Sequence, residues 1–418
     1  MARISQQTID FIRKATISPH DALMLAGLHT LEGVTQDPVL MMQILRLPTP
    51  SNYQQWIQVF TSSRDSTRRF VWLWVLARLA ELNVSWAVEL NELSIPGSSI
   101  YRLPYNIGSL SNVQLLDVSQ NNLNELPKSI RNMKHLRMLY IHDNEFSYIP
   151  DWIEEFTLDL LYAVGNPLQQ IPRGIQAFAM DSILWTKLHQ ELTQLTDVRS
   201  MLFQGLPFPC DQRWLAKQTH LQRITFDDCY LWKIPSALEH CNQLEHLRVT
   251  GSEDFSLGDE VAFFPQLKTL MLEFGTMRNL PKGLGYCKGL KQVQMSYHEV
   301  TRIPSCLQRL RQLERLNFEG NTIHTIPQWF GRLRLLKSVS LRKNDLSTLP
   351  SQFGNLNNLE VLDLSDNLFH SLPECLFELT GLRKLNLVRN PISTGDIVKL
   401  QCALPDCDIT FSVRDRAV

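Results

Sequence analysis

A 23-residue pattern that recurs between residues 90 and 392 is the feature that most constrains how this chain folds. Its template is LxxLxLxxNxL, with about thirteen copies, and two successive ones read LKSVSLRKNDL at residues 336–346 and LEVLDLSDNLF at residues 359–369. A unit this short cannot bury its own apolar face, so it is stabilised only by stacking on its neighbours. The repeats therefore predict a solenoid, an architecture that presents a long surface for binding.

The asparagine position of the template measures the repeat along the chain. Seven copies have asparagine there, namely Asn121, Asn144, Asn166, Asn321, Asn344, Asn367 and Asn390. A buried amide both donates to and accepts from backbone groups at a bend, so we expect these residues to form a structural ladder. Between Leu206 and Gly275 the ladder is missing. We expect that central stretch to be less regular, and we expect Ser252→Ala or Gly275→Ala to cost less stability than loss of a ladder asparagine.

One step of the repeat is longer than the others. Asn166 and the next ladder position, Leu206, are 40 residues apart instead of 23, so that repeat is stretched. The extra segment, about residues 173–197, is predicted to form a helical insert with one apolar stripe that lies against the solenoid. The stripe consists of Leu184, Leu188, Leu192 and Leu195. The pattern leaves open whether this helix only covers the flank of the repeats or docks a partner.

The repeats resemble the cytosolic Ras-group class of leucine-rich repeats. The likeness rests on the 23-residue length and on Leu-Pro five and six residues after the asparagine, as in Asn121 followed by Leu126-Pro127. Beyond Asn390, the segments IVKL and LPDCDI are similar to the C-terminal cap of bacterial cytosolic members. The resemblance implies an arc with parallel strands on its concave side, no intrinsic chemistry, and a protein partner, for example a small GTPase or another signalling protein.

The predicted fold class is an α/β solenoid, a leucine-rich-repeat arc of about 13 parallel concave strands preceded by an α-helical region. Residues 1–86 contain no copy of the repeat and show helical spacing, as in Ile9 and Ile12. They are expected to form either a helical cap over the exposed edge of the first repeat or a separate interaction module. Residues 87–393 are assigned to the solenoid and residues 394–418 to a C-terminal cap.

Charge and hydropathy limit the classes of partner that this chain is expected to bind. A net charge of −1 and a pI near 6.8 provide no field that attracts nucleic acid or an anionic membrane, so no nucleic-acid partner is expected. The apolar run at residues 70–77 is far shorter than the roughly 20 residues that a membrane span needs. The first residues also lack the apolar core of a signal peptide. We therefore expect a cytoplasmic protein without a membrane span.

The sequence contains little that suggests catalysis. Cys241 and Cys287 stand where other copies have core leucines and Cys229 occupies a ladder position, so burial is favoured over redox chemistry. Cys402 and Cys407 are close enough in sequence to pair. Neither a phosphate-binding GxxxxGK[ST] loop nor HExxH occurs. We expect no catalytic residue, metal or cofactor. The alternative is an enzyme, or a regulatory subunit of one, with its activity in the N-terminal helical region.

The binding face follows from the same template. The leucines of LxxLxLxxN point into the core, so positions three, five and seven face the concave side. Most copies have polar or small residues there, such as Ser338 and Ser340. Four successive copies instead place apolar and aromatic residues there, namely Leu115, Met138, Tyr140, His142, Leu160, Tyr162, Val164 and Leu202.

Exposed apolar patches usually mark interfaces, and tyrosine is enriched where binding energy is concentrated. We therefore expect a protein partner to bind this patch. A charged rim is expected beside it, formed by Arg223, Asp227, His246, Arg248 and Glu273. The alternative is that the helical insert or the N-terminal segment covers the patch.

Overall fold

The chain forms two compact units, Met1–Leu195 and Thr196–Val418. A computed structural model describes residues 4–18, 21–48, 50–63, 65–192, 194–195, 197–206 and 214–412. Both units contain parallel strands that follow one another at the repeat distance, with short 3-10 helices between most of them. The predicted solenoid of parallel-strand repeats behind a helical N-terminal region is confirmed.

The first unit begins with helices and continues into repeats. Its N-terminal helices are α1 (Gln6–Thr16), α2 (Asp21–Val34), α3 (Pro38–Leu45), α4 (Tyr53–Ser62), α5 (Ser66–Glu81) and α6 (Ser85–Val88). Its strands are β1 (Glu92–Ser94), β2 (Leu115–Asp117), β3 (Met138–Tyr140), β4 (Leu160–Tyr162) and β5 (Ala177–Asp181), followed by α7 (Ser182–Leu192). Side-chain caps define where helices begin: Ser5, Asp37 and Asn52 each accept a backbone N–H from the first turn of α1, α3 and α4.

Helix α5 joins the helical region to the first repeats. Every residue from 70 to 77 is buried, so this apolar run is the interior of the helical region rather than one stripe of a surface helix. The indole N–H of Trp74 donates to the hydroxyl of Tyr105 at 3.4 Å, and the side-chain amide of Asn106 donates to the carbonyl of Trp74 at 3.4 Å. The helices and the first repeats therefore share one core within this unit.

The second unit consists of repeats and a terminal helix. Its strands are β6 (Ser200–Gln204), β7 (Arg223–Asp227), β8 (His246–Thr250), β9 (Thr269–Glu273), β10 (Gln292–Ser296), β11 (Arg315–Asn317), β12 (Ser338–Ser340), β13 (Val361–Asp363) and β14 (Lys384–Leu387), then α8 (Thr394–Ala403) and β15 (Asp408–Phe411). They pair in sequence order, all parallel.

The strands of each sheet pair in one constant register. In the first unit Leu116 pairs with Leu139, which pairs with Leu161, and all three are buried. In the second unit the same central position is buried from Ile224 to Leu385. Because side chains alternate along a strand, the neighbours of each buried leucine point to the opposite, open face of the sheet. The open face is therefore free to vary in chemistry from repeat to repeat.

Short 3-10 helices return the chain from one strand to the next. They span Ile107–Ser109, Lys128–Asn132 and Asp151–Glu155 in the first unit and Leu215–Lys217, Ser236–His240, Asp259–Phe263, Lys282–Tyr286, Ser305–Arg309, Gln328–Arg332, Ser351–Asn355 and Glu374–Glu378 in the second. Proline precedes most of them, as at Pro127, Pro350 and Pro373, with φ near −65°. Proline suits this position because its ring fixes φ and its missing N–H is not needed at a helix start.

The asparagines at the template position tie neighbouring repeats together. The Asn367 carbonyl oxygen accepts from the N–H of Leu346 at 3.0 Å, and its amide donates to the carbonyls of Leu341 at 2.9 Å and Leu364 at 3.0 Å. At the other six positions the asparagine side chain makes the same hydrogen bonds to backbone groups of the preceding repeat and of its own repeat. They occur at Asn121, Asn144, Asn166, Asn321, Asn344 and Asn390.

In the described part of the central copies the strands are as regular as the others, contrary to expectation, and residues 207–213 of that stretch lie outside the described residues. Strands β6 to β10 are five residues long, whereas β1 to β4 have three. The buried pairs that set strand register, such as Ile224 with Phe226, are retained there. Smaller side chains also replace some of the hydrogen bonds of the missing asparagine amide. The Cys229 thiol donates to the carbonyl of Phe203 at 3.4 Å, and the Ser252 hydroxyl donates to the carbonyl of Cys229.

The stretched repeat contains a strand that the sequence pattern does not predict. Strand β5 occupies Ala177–Asp181, inside the segment expected to be a single helical insert, and α7 begins directly after it. The long step therefore divides into a short repeat and one of ordinary length. Helix α7 buries Leu184 and Leu188, as the predicted stripe requires, and exposes Ile183. The side chain of Leu192 lies outside the described part of the chain.

We expect Asn367→Ala to lower the free energy of unfolding by about 1–3 kcal/mol, because buried backbone groups of two repeats lose their partner. The exposed Asn355, in the adjacent 3-10 helix, is the matched control, and its replacement should change little. Urea unfolding measures both. Equal shifts for the two variants would contradict a structural role for the ladder.

Gly275→Ala is expected to be costly, which corrects the expectation from sequence. A Cβ at Gly275 would lie 2.7 Å from Cε1 of the buried His298 ring in the next repeat. Overpacking of this kind costs roughly 1–3 kcal/mol. In a His298→Ala background the clash is absent, so adding Gly275→Ala should cost little. Urea unfolding of the two single variants and the double variant tests this, and additive losses would show that the ring is not the cause.

Candidate protein-binding face

The open face of the first unit brings the predicted patch residues of that unit together. One row across β2, β3 and β4 consists of Leu115, Met138 and Leu160. The next row consists of Asp117, Tyr140 and Tyr162. His142 and Val164 follow β3 and β4, where their carbonyls accept from the N–H groups of the preceding repeat. All of these side chains are half-buried, while the residues between them in the strands are buried.

Three rings form the centre of this surface, which we call the aromatic patch (Leu115, Met138, Tyr140, His142, Leu160, Tyr162 and Val164). The centroids of Tyr140 and Tyr162 are 6.0 Å apart with the rings at 69°, and those of His142 and Tyr162 are 4.6 Å apart at 60°. These are edge-to-face contacts, the geometry that aromatic quadrupoles prefer. The rings thus support one another and form a continuous apolar surface.

A carboxylate that sequence reasoning did not single out lies within the aromatic patch. Asp117 accepts hydrogen bonds from the Ser119 hydroxyl at 2.6 Å, the Ser119 N–H at 3.1 Å and the Ser94 hydroxyl at 3.2 Å. It occupies position five of its copy, the same position as Tyr140 in the next copy. That position was the signal that could have identified it. The carboxylate is held by its neighbours rather than free to move.

Burial controls the protonation of the patch. Burial, and to a smaller extent the charge of Asp117, raises the pKa of Tyr140 above its ordinary value of 10.0. Burial lowers the pKa of His142 below 6.5, although the carboxylates of Asp143 and Asp117 oppose this effect. At neutral pH the phenol is therefore protonated and the imidazole neutral, which keeps the rings apolar enough to be buried by a partner.

The remaining predicted residues belong to the second unit. Leu202 is half-buried on β6, in register with Thr225 of β7. The five residues of the expected charged rim lie on the open face of that unit's sheet. Arg223 and Asp227 are on β7, His246 and Arg248 on β8, and Glu273 on β9. The contiguity of these residues with the aromatic patch remains a prediction.

Several of these charges already have partners within the second unit. A guanidinium nitrogen of Arg248 lies 2.8 Å from one carboxylate oxygen of Glu273, and the other oxygen of that carboxylate accepts from the side-chain amide of Gln294. The Thr250 hydroxyl donates to Asp227 at 2.5 Å. Exposed ion pairs of this kind contribute little stability.

A second aromatic pair was also missed from sequence. Phe274 and Tyr297 stack with centroids 5.0 Å apart and rings at 12°, and Phe274 is 55% exposed. Both have φ near +58°, the left-handed conformation that a bulky residue rarely adopts. They stand immediately before the ladder position, where other copies have residues such as Gly320 or Asp366 in the same conformation. Aromatic residues at that position were the available signal.

Five of the described cysteines are buried as small core residues, namely Cys229, Cys241, Cys287, Cys306 and Cys375, whereas Cys402 is exposed and Cys407 half-buried. Cys241 and Cys287 are fully buried, and burial raises the pKa of each thiol to about 11, which keeps the sulfur protonated. Cys402 and Cys407 are free thiols, so the possible pair between them is not formed. Among the residues that the structure describes, no three His, Cys, Asp or Glu side chains are grouped as a metal site would require. In the same part of the chain, no helix combines the length and apolarity needed to cross a bilayer.

Comparison with known proteins identifies leucine-rich repeats in this chain. Residues 88–168 and 334–392 match one leucine-rich-repeat family, and residues 312–333 match a second. A solved leucine-rich-repeat protein from Leptospira interrogans is 24% identical with a TM-score of 0.50, over 80% of this chain and 86% of that one. An internalin from Listeria monocytogenes is 17% identical with a TM-score of 0.46, over 72% of this chain and 87% of that one.

Among proteins with curated descriptions, none matches this sequence. The likeness to the Leptospira protein concerns the fold, and the family matches cover repeats in both units. The stacked parallel strands, the asparagine ladder and the family matches lead to one conclusion: residues 88–168 and 312–392 consist of leucine-rich repeats.

Proposed function

We propose that this protein is a non-catalytic scaffold of the cytoplasm that binds a folded protein partner through the aromatic patch. The observation that carries the proposal is the contact of Tyr140, His142 and Tyr162 on an open strand face. A leucine-rich-repeat fold supports it, because the fold supplies a broad surface whose side chains can vary without disturbing the core.

The chemistry of the patch favours a protein over other ligands. Its members are aliphatic, aromatic or thioether side chains, and Tyr140 carries a hydroxyl that lies 3.9 Å from the Met138 sulfur. Such surfaces, apolar with polar tips, are those in which binding hot spots concentrate. The charge on Asp117 would orient a partner that presents a donor there.

Two finer parts of the proposal rest on the resemblance to Ras-group repeats. That resemblance suggests a concave binding surface and a small GTPase or another signalling protein as the partner. The positions of the repeat template are instead the basis for proposing Leu202 as a further contact and Arg223, Asp227, His246, Arg248 and Glu273 as residues that select the partner by charge. Charge complementarity of this kind acts mainly on specificity and association rate.

We expect Tyr140→Ala and Tyr162→Ala each to weaken partner binding by about 1–3 kcal/mol, because each removes a ring from the centre of the patch. Affinity capture from native cytosol with wild-type protein and with the double variant identifies proteins that depend on the patch. Calorimetry then measures each single variant against the captured partner. The matched control is Tyr148→Ala, because Tyr148 is 46% exposed in the same unit but outside the patch. If Tyr148→Ala weakens binding as much as the patch variants, or if neither patch variant weakens it, the placement is wrong.

His142 is expected to make stability depend on pH. Because its pKa is lowered below 6.5 in the folded protein, the unfolded chain binds more protons in that range, and stability falls as the pH drops below 6.5. Replacement by phenylalanine should remove this part of the decline, whereas His324→Phe, at an exposed position, should not. Urea unfolding between neutral and mildly acidic pH measures it. An unchanged slope in His142→Phe would show that the imidazole titrates alike in both states.

A further inference from the structure

A groove on the second unit combines exposed aromatic rings with carboxylates. It lies where the chain leaves β7 and β8 and encloses about 680 Å³. We call it the acidic aromatic groove and define it by Asp228, Tyr230, Trp232, Gly251, Glu253 and Asp254. It does not include the aromatic patch, which belongs to the first unit.

The two rings point outward because the residue between them is part of the core. Leu231 is 2% exposed, whereas Tyr230 is 78% and Trp232 59% exposed. The backbone there is tied on both sides, since the Tyr230 N–H donates to the carbonyl of Leu206 at 3.2 Å and the Trp232 carbonyl accepts from Ser256 at 2.9 Å. Two large rings held in solvent on a fixed backbone are the kind of surface that marks an interaction site.

The position of one carboxylate is built into the fold. Gly251 has φ +61°, and a Cβ there would lie 1.8 Å from a carboxylate oxygen of Asp228. Only glycine leaves room for Asp228 in this arrangement, because any side chain would displace its carboxylate. Its place beside the rings therefore depends on the next repeat.

The three carboxylates of the groove have no ion-pair partner among the described residues. Asp228, Glu253 and Asp254 are exposed and none takes part in a salt bridge there, in contrast to Glu314 and Asp366 in the same unit, each of which has two basic partners. Lys233, which directly follows Trp232 in sequence, lines a different cavity together with Glu239 and Glu260. The groove therefore presents negative charge beside aromatic faces.

We propose that the acidic aromatic groove binds an extended, basic segment of a partner protein through its lysine or arginine side chains. A cation is attracted to the face of tryptophan or tyrosine, and carboxylates form charge-assisted hydrogen bonds with the same group. The volume accommodates such a side chain, and the two classes of group meet in one groove. This surface adds a second recognition element to the protein and does not depend on the proposed role of the aromatic patch.

The test uses the full chain and a short fluorescein-labelled peptide of alternating lysine and glycine, measured by fluorescence anisotropy. We expect the peptide to bind, and we expect Trp232→Ala and the pair Glu253→Gln with Asp254→Asn each to weaken it by about fivefold or more. A peptide of alternating glutamate and glycine should not bind.

Matched controls separate the groove from general surface charge. Tyr286→Ala removes a ring that is 64% exposed elsewhere in the unit, Glu374→Gln removes an exposed carboxylate, and Tyr140→Ala alters the aromatic patch. All three should bind the basic peptide as wild type does. Equal affinity in the groove variants, equal losses in the controls, or binding of the acidic peptide would each overturn the proposal.

Discussion

The bonds between the backbones of adjacent repeats are the interaction on which the rest of this structure depends. Each strand is too short to be stable alone, and it persists because its neighbours on both sides satisfy its backbone groups. At the bend that follows each strand, the asparagine side chain performs the same task. Asn344, for example, accepts from Ile323 and donates to the carbonyls of Phe318 and Leu341. Where asparagine is absent, Cys229 and Ser252 donate to backbone carbonyls instead, so the bend survives with fewer bonds.

This division of labour explains where functional chemistry can occur. The buried positions and the ladder hold each repeat to the next, so they tolerate few residue types. The side chains of the open face and the exposed side chains next to a ladder position, such as that of Tyr230, have no such structural role. In the first unit the open face bears the rings of Tyr140 and Tyr162, whereas the same face at β12 bears Ser338 and Ser340. In the second unit the copies without ladder asparagines are those with exposed Tyr230, Trp232 and Phe274. The side-chain chemistry therefore differs between repeats chiefly at positions that the core and the ladder do not use.

The repeat period made much of this predictable. It placed the ladder asparagines, the buried leucines and the residues of the open face at their positions, because a strict period fixes which side chains are equivalent. It failed where the period itself changes. Strand β5 reads AFAMD and lacks the template leucines, so its segment was interpreted as part of one helix. Side-chain contacts between repeats could not be predicted from the period either. The sequence of a single copy does not show that the His298 ring occupies the space left by Gly275. Asp117 was overlooked because the patch was identified by its apolar and aromatic residues, and a charged residue does not fit that pattern.

The same nearest-neighbour energetics decides how binding and stability are coupled. In a solenoid, stability is approximately a sum of repeat and interface terms, so a change on the open face of one repeat affects chiefly that repeat and those beside it. The rings of the aromatic patch contact one another on the open face, whereas the buried residues of their strands are Leu116, Leu139 and Leu161. Side chains of the open face can therefore change without loss of the fold, whereas a side chain at position 275 conflicts with the ring of His298. A fold of this kind separates the side chains of the open face, which are available for recognition, from those that hold the repeats in place.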